Sequence, residues 1–156
     1  MINSSINLLE GSFPMLVSRK VLMTEDLTIL GELINKVKVE IEINKISTNL
    51  FFAEGFIGAS FKTKCQRCGQ FSNIELNINL KIAIKDNSEE ELDIKAPYEV
   101  HYQNLQLFDI DKLVLEEIYL NFPSTVVCCN LKSNKNTNLN KEQKTQPFKK
   151  IKDLIQ

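Results

Sequence analysis

The sequence predicts an α+β domain, mainly antiparallel β-sheet with a long hairpin, a few short flanking helices and a polar C-terminal linker. Three observations lead there. Residues Val37 to Ile43 (VKVEIEI) and Ile74 to Lys85 (IELNINLKIAIK) alternate apolar and polar side chains, the period of two that marks strands with one wet face. Residues Ile110, Val114, Ile118 and Phe122 recur at helical spacing instead. Strands and helices do not alternate in the βαβ manner, so a doubly wound nucleotide-binding sheet is not expected.

At the N-terminus, residues 1–20 lack clear periodicity, with an edge strand starting between Val17 and Leu22. Thr24 suits a helix N-cap, and Glu25 and Asp26 suit the positive end of the helix dipole. Leu27, Leu30, Leu33 and Ile34 then follow at helical spacing, predicting a short amphipathic helix over 24–35 weakened by Gly31. The strand at Val37–Ile43 comes next. Leu50 to Lys64 is a second extended stretch, in which Gly55 and Gly58 mark a bulge or a close backbone approach. The alternating run from Ile74 would pair with it antiparallel across the turn CQRCGQ. Residues 86–93 form an acidic loop, and Tyr98, Val100 and Tyr102 alternate in another short strand after Pro97. Asp109 or Asp111 can cap a helix to about Asn121, closed by Pro123. Residues 130–146 are almost wholly polar and read as a disordered linker. Pro147 suits the first position of a short final helix carrying Phe148, Ile151, Leu154 and Ile155. The organisation is therefore a core domain over 1–129, a linker over 130–146 and a terminal helix over 147–156.

A net charge of −1 hides an uneven distribution. Residues 86–117 carry ten acids and two lysines, whereas 132–156 carry seven lysines and two acids. That contrast describes an acidic face and a basic arm, either a solvated tail or a binder of phosphate backbones. Arginine occurs only at Arg19 and Arg67, and Asn, Ile and Lys share A/T-rich codons, so lysine number alone supports no functional argument. No apolar run approaches the roughly 20 residues that span a bilayer, and MINSSINLLEGSF lacks the basic start of a secretory signal. The expected location is the cytoplasm, away from membranes, where thiols stay reduced.

The chemistry-bearing stretch is Lys64-Cys65-Gln66-Arg67-Cys68-Gly69. Two thiolates three positions apart can face one metal across a tight turn, and glycine after the second allows the positive φ such turns use. Cys128 and Cys129 could complete a four-thiolate zinc site, although neighbours in an extended segment point to opposite faces, so one would ligate while the other packs. A zinc site at Cys65, Cys68, Cys128 and Cys129 and a metal-free turn both remain open. Redox chemistry is disfavoured, since a reactive CxxC belongs at a helix N-terminus and this one lies at a hairpin tip. The single histidine, His101, is expected at the surface on the strand face opposite the tyrosines. Glu89, Glu90 and Glu91 read as a charge run, there is no phosphate-cradling glycine loop, and no enzymatic activity is expected. Lys62, Lys64 and Arg67 near the tip, with the lysines of 132–152, are candidates for contact with RNA phosphates.

Three blocks in order resemble one family. They are the strand–CQRCG–strand unit, then Pro97-Tyr98-Glu99 followed by the acidic helix from Asp109 to Pro123, then Gln146-Pro147-Phe148 with its lysine-rich helix. The set resembles the YceD family of large ribosomal RNA accumulation proteins, well over residues 50–156 and loosely over 1–49. Where family members often carry a further His or Cys pattern after the proline, this chain has Cys128 and Cys129 and a linker of lysine and asparagine. The resemblance implies a non-enzymatic ribosome biogenesis factor that promotes synthesis, processing or stability of 23S ribosomal RNA. Its partners would be that RNA, a pre-ribosomal particle or a ribosomal protein, with the basic arm on phosphate and Phe148 in a partner groove. Two other readings of the same residues are a zinc-ribbon-like protein-interaction module unrelated to ribosomes, and an oxidoreductase using Cys65 and Cys68.

Overall fold

A strand that alternates apolar and polar residues can bury only one of its faces, and this chain assembles such strands into one sheet with a dry side and a wet side. The computed structural model describes residues 5–23, 27–89 and 98–129. Its strands, in chain order, are β1 (Ser5–Ile6), β2 (Met15–Val21), β3 (Glu32–Leu33), β4 (Val37–Lys45), β5 (Leu50–Lys64), β6 (Phe71–Asp86), β7 (Glu99–Gln103) and β8 (Phe108–Asp109). The helix α1 (Ile110–Asn121) follows. The main sheet runs β2-β4-β5-β6-β7, with β3 also paired to β5, and β1 and β8 form a separate two-stranded ribbon.

Both alternating runs become the expected strands, and β5 and β6 form the long antiparallel hairpin across CQRCGQ. Val37, Val39, Ile41 and Ile43 of β4 are buried, as are Phe51, Ala53, Ile57, Ala59 and Phe61 of β5 and the even-numbered apolar residues 76–84 of β6. Each large apolar side chain so buried stabilises the fold by roughly 1.5–3 kcal/mol. The edge strand expected from Val17 is β2, which starts at Met15 and pairs antiparallel with β4. One ladder departs from the antiparallel pattern, because β7 pairs parallel to β6, with Ile82 opposite Glu99 and Ile84 opposite His101. The dozen or so residues between them are enough to carry the chain back to a parallel start.

Among the described residues there is one α-helix, where the sequence suggested a few, along with short 3-10 turns at Asn87–Glu89 and Leu105–Leu107. The Asp109 side chain caps α1 by accepting from the Asp111 N–H at 2.9 Å. Ile110, Val114 and Ile118 are buried as their spacing requires, together with Leu113. Phe122 lies edge-on to Phe61, ring centres 5.5 Å apart, which ties the helix exit to the dry side of the sheet. Arg19, on the dry side of β2, donates to the Asp111 carboxylate near the helix start. The helix expected over 24–35 is absent from the described part of that span. Leu27–Leu30 is a turn, and Glu32 and Leu33 pair with Lys62 and Phe61 as β3. Three leucines around a central glycine are a weak helical signal, and strand pairing outweighs it. Gly31 itself passes so close to β5 that a Cβ there would lie 2.7 Å from the Lys62 carbonyl oxygen. The linker over 130–146 and the terminal helix with Phe148 lie outside the described residues.

Of the two glycines singled out in β5, Gly55 is the close approach and the register across it is unbroken, so no bulge forms. A Cβ at Gly55 would meet the Glu40 carbonyl oxygen at 2.1 Å, whereas one at Gly58 would meet only the Phe56 ring, at 2.9 Å. Backbone cannot yield as a half-buried side chain at the sheet surface can. Gly55→Ala is therefore expected to lower unfolding free energy by about 2 kcal/mol or more, and Gly58→Ala by less than about 1 kcal/mol. Urea denaturation of the two variants against the parent checks both values.

Candidate metal centre

The hairpin tip is closed by its own backbone. The Cys65 N–H donates to the Gln70 carbonyl at 2.8 Å, and the Gly69 N–H to the Cys65 carbonyl at 3.0 Å. Gly69 adopts φ +72°, a conformation that a side chain would oppose. With the loop drawn around it, the Cys65 sulfur accepts from the N–H groups of Arg67 at 3.4 Å and Cys68 at 3.5 Å. Its side chain is 2% exposed, and that of Cys68 lies open at the tip.

The segment leaving α1 returns over this tip. Pro123 stops the helix, after which the Gln66 N–H donates to the Val126 carbonyl at 2.8 Å and the Gln66 side chain to the Ser124 carbonyl at 3.4 Å. Val126 is buried there. The Cys128 N–H becomes a third donor to the Cys65 sulfur, at 3.3 Å. All four sulfurs come together: Cys65 and Cys129 are 3.9 Å apart, Cys68 and Cys128 3.4 Å, and the whole set lies within 4.8 Å. Sulfurs around tetrahedral zinc, at Zn–S about 2.3 Å, are about 3.8 Å apart. Cys128 and Cys129 thus both turn inward, contrary to the alternation expected of them. That alternation belongs to strands, and residues 125–129 are not in one.

The thiols differ in how readily they ionise. N–H groups of Cys68, Cys128 and Arg67 hold the Cys65 thiol down at about 5, against the ordinary 9. Cys128 is pushed up to about 12, chiefly by its contacts with the Cys68 and Cys65 sulfurs, and Cys129 is raised, first by burial. Four thiols this close cannot all ionise against one another, and a bound divalent cation removes that conflict by pairing with every thiolate.

The candidate RNA-contacting residues lie beside this centre. Arg67 reaches back to the Cys129 carbonyl at 3.3 Å. Lys62 and Lys64 project from the wet face of β5, their ammonium groups 5.2 and 5.6 Å from the centre of the Phe71 ring. Phe71 is 61% exposed, and sequence reasoning missed it. Its parity was the available signal, since Phe71 falls in step with Asn73, Glu75 and Asn77, the polar positions of β6. A groove bounded by Gly31, Glu32, Leu33, Lys62, Lys64 and Phe71 runs alongside.

A family model described as "Large ribosomal RNA subunit accumulation protein YceD" matches residues 53–155. The chain belongs to this family. The YceD match takes in most of β5, the hairpin tip, α1 and all four cysteines. No curated protein and no solved structure matches the chain. Among the described residues, no helix is long and apolar enough to cross a membrane.

His101 is not the surface residue expected from the sequence. It is 5% exposed, on the dry side of β7 with Gln103, while Tyr102 is half-buried on the other side. Its Nδ1 lies 2.8 Å from a Glu116 carboxylate oxygen, and its Nε2 lies 2.7 Å from the Gln103 side-chain nitrogen. Gln103 also grips the Asp109 backbone twice, donating to its carbonyl at 3.1 Å and accepting from its N–H at 2.6 Å. This network assigns a neutral imidazole that donates from Nδ1 and accepts at Nε2, bracing β7 against the start of α1. Burial lowers the His101 pKa, with Lys112 adding to the effect, against the opposing pull of Glu116. Glu117 beside it is raised by burial, then by Glu99 and Glu116.

A histidine whose folded pKa lies below its ordinary 6.5 is protonated more readily in the unfolded chain, so it withdraws stability as pH falls through and below about 6.5. Glu117 acts with the opposite sign at lower pH, and comparison of variants separates the two. The stability of the parent relative to His101→Gln is expected to shrink as pH falls from about 7 to 5, read from denaturation midpoints at each pH.

Proposed function

We propose that this chain acts in the accumulation of large-subunit ribosomal RNA as a zinc-stabilised, non-catalytic body that binds the 23S RNA or a precursor particle containing it. Family membership supports the link to ribosomal RNA. The observation that carries the molecular part is the convergence of four cysteine sulfurs from two distant stretches of chain. In this reading Cys65, Cys68, Cys128 and Cys129 hold zinc, with Arg67, Cys68 and Cys128 supplying N–H groups that keep the Cys65 thiolate in place. Zinc with four sulfur ligands has no position for water or substrate, so its contribution is structural. It fastens the segment after α1 to the hairpin tip, and with it the point from which the lysine-rich residues 132–152 depart.

The role of the tip follows from that geometry. Lys62, Lys64 and Arg67 surround the centre on one side of the protein, where they offer salt-sensitive attraction to phosphate. An oxidoreductase reading has less support, because the CxxC turn joins two strands and lacks the helix N-terminus that activates such thiols.

The purified, intact chain is expected to carry one zinc per molecule by elemental analysis, falling to background in Cys65→Ser. Chelation is expected to lower the melting temperature by about 10 °C or more. A parent protein that contains no zinc when purified or reconstituted refutes the metal reading. In cells, deletion is expected to reduce 23S relative to 16S ribosomal RNA, with rescue by the parent gene and poor rescue by the Lys62→Gln, Lys64→Gln, Arg67→Gln triple variant. Unchanged 23S levels would exclude the ribosomal reading, and zinc without any RNA association would favour a protein-interaction module.

A further inference from the structure

We propose that Phe71 is a stacking platform for an unpaired base of single-stranded RNA, with Lys62, Lys64 and Arg67 neutralising the flanking phosphates. The inference rests on the RNA-binding part of the function proposed above and adds a recognition element to it.

Phe71 is the first residue of β6 and stands directly opposite Lys64, while Asn73 stands opposite Lys62. All four belong to the wet face of the sheet. A phenylalanine at a polar parity gains nothing from the core, and at 61% exposure it leaves most of its surface in water. Two ammonium groups within about 6 Å of that ring add cation–π attraction, which orients cations around an aromatic surface and does not cover it. Exposed aromatic surface bordered by lysine is the combination that takes single-stranded nucleic acid, because every base has a flat face to stack and each nucleotide brings a phosphate.

Charge selects among occupants. Lys62, Lys64 and Arg67 give three positive charges at the tip, opposed by Glu32, which lies across the ladder from Lys62. The remaining excess is positive and favours a polyanion. A docking protein surface is less well suited, since stable interfaces have an apolar centre within an area of roughly 800 Å² per partner. Here the ring is bordered by Lys62, Lys64, Asn73 and Glu32, with Leu33 the one large apolar side chain in the groove beside it. Double-stranded RNA is also a poor match, because its bases are already stacked and its grooves are read by shape and 2′-hydroxyl contacts. The groove along Gly31, Glu32 and Leu33 gives a backbone somewhere to run once a base is on the ring.

The chain has no tryptophan, so a single introduced indole reports on this position alone. The test uses the intact chain with a 12-nucleotide oligouridylate, titrated at several salt concentrations. Phe71→Ala is expected to weaken binding roughly ten- to a hundredfold while leaving the slope of log affinity against log salt unchanged. Lys62→Gln with Lys64→Gln is expected to flatten that slope, by about 0.7 for each phosphate that is no longer neutralised. Phe71→Trp should retain affinity, and its fluorescence should be quenched on binding. The melting temperature of Phe71→Ala should match the parent, as the ring contributes little to the core. If Phe71→Ala binds as the parent does while the lysine variants weaken, the platform is refuted and RNA binding stands. If the parent itself binds no oligouridylate, the platform and the direct RNA contact both fall. Loss of a protein partner in Phe71→Ala, without any RNA effect, also overturns the proposal.

Discussion

The ladder between β5 and β6 runs without interruption from Leu50 opposite Lys85 to Lys64 opposite Phe71, and the other features of the molecule follow from its register. Side chains alternate across a strand, so a slip of one residue would carry Phe51, Ile57 and Phe61 into water and Lys62 and Lys64 into the core. The hydrophobic penalty for such a slip is many times the worth of any single surface contact, which leaves one register available. That register also sets the end of the hairpin. With Lys64 paired to Phe71, six residues remain to turn the chain, and Cys65 is the first of them on the dry parity. Its sulfur is therefore directed under the tip, where the Val126–Cys129 segment can reach it.

Two stretches roughly 60 residues apart in sequence meet at this point, and only the hairpin tip is held there by a strand ladder. What joins them is a few hydrogen bonds, from Gln66 to Val126 and Ser124, from Arg67 to Cys129 and from the Cys128 N–H to the Cys65 sulfur, and the contact of the four sulfurs themselves. The sulfurs are a poor adhesive when protonated and a worse one when all are ionised, because like charges at 3–4 Å repel strongly. The conflict is visible in the opposite displacement of Cys65 and Cys128. A divalent cation bound by the four sulfurs would relieve that conflict. Three N–H donors already favour a thiolate at Cys65 against the opposing effect of its burial, while Cys68 remains accessible from solvent.

The long strands and α1 were legible because their periodicities extend over many residues and each agrees with its burial. Ile74 to Ile84 offers six consecutive repeats of the strand pattern, and α1 has an N-cap, an apolar stripe and a proline stop. The failures lie where the pattern is short and a distant partner decides. Leu27 to Ile34 resembles a helix over two turns, but β5 offers hydrogen bonds to Glu32 and Leu33, and those cannot be read from local spacing. His101 looked exposed because a histidine in a short strand usually is. Its burial depends on Gln103 and Glu116, which come to it through the fold. At the centre, the pairing of Cys65 with Cys68 was plain from sequence, whereas the inward turn of both Cys128 and Cys129 depends on an irregular segment whose path is set by Gln66. Phe71 was overlooked although its parity marked it.

The two sides of the sheet divide the tasks of the protein. On the dry side, polar groups that enter are paired: His101 by Glu116 and Gln103, and Asp111 by Arg19, although the buried Arg19 Nε has no hydrogen-bond partner. Such networks fix the geometry of β7 and of the start of α1. On the wet side, near the cysteine cluster, the chain places cations and an aromatic ring without covering them. The contrast is one of exposure: side chains beneath are packed, and those above meet solvent. The cysteine cluster lies at the border of the two sides, where the segment after α1 meets the hairpin tip.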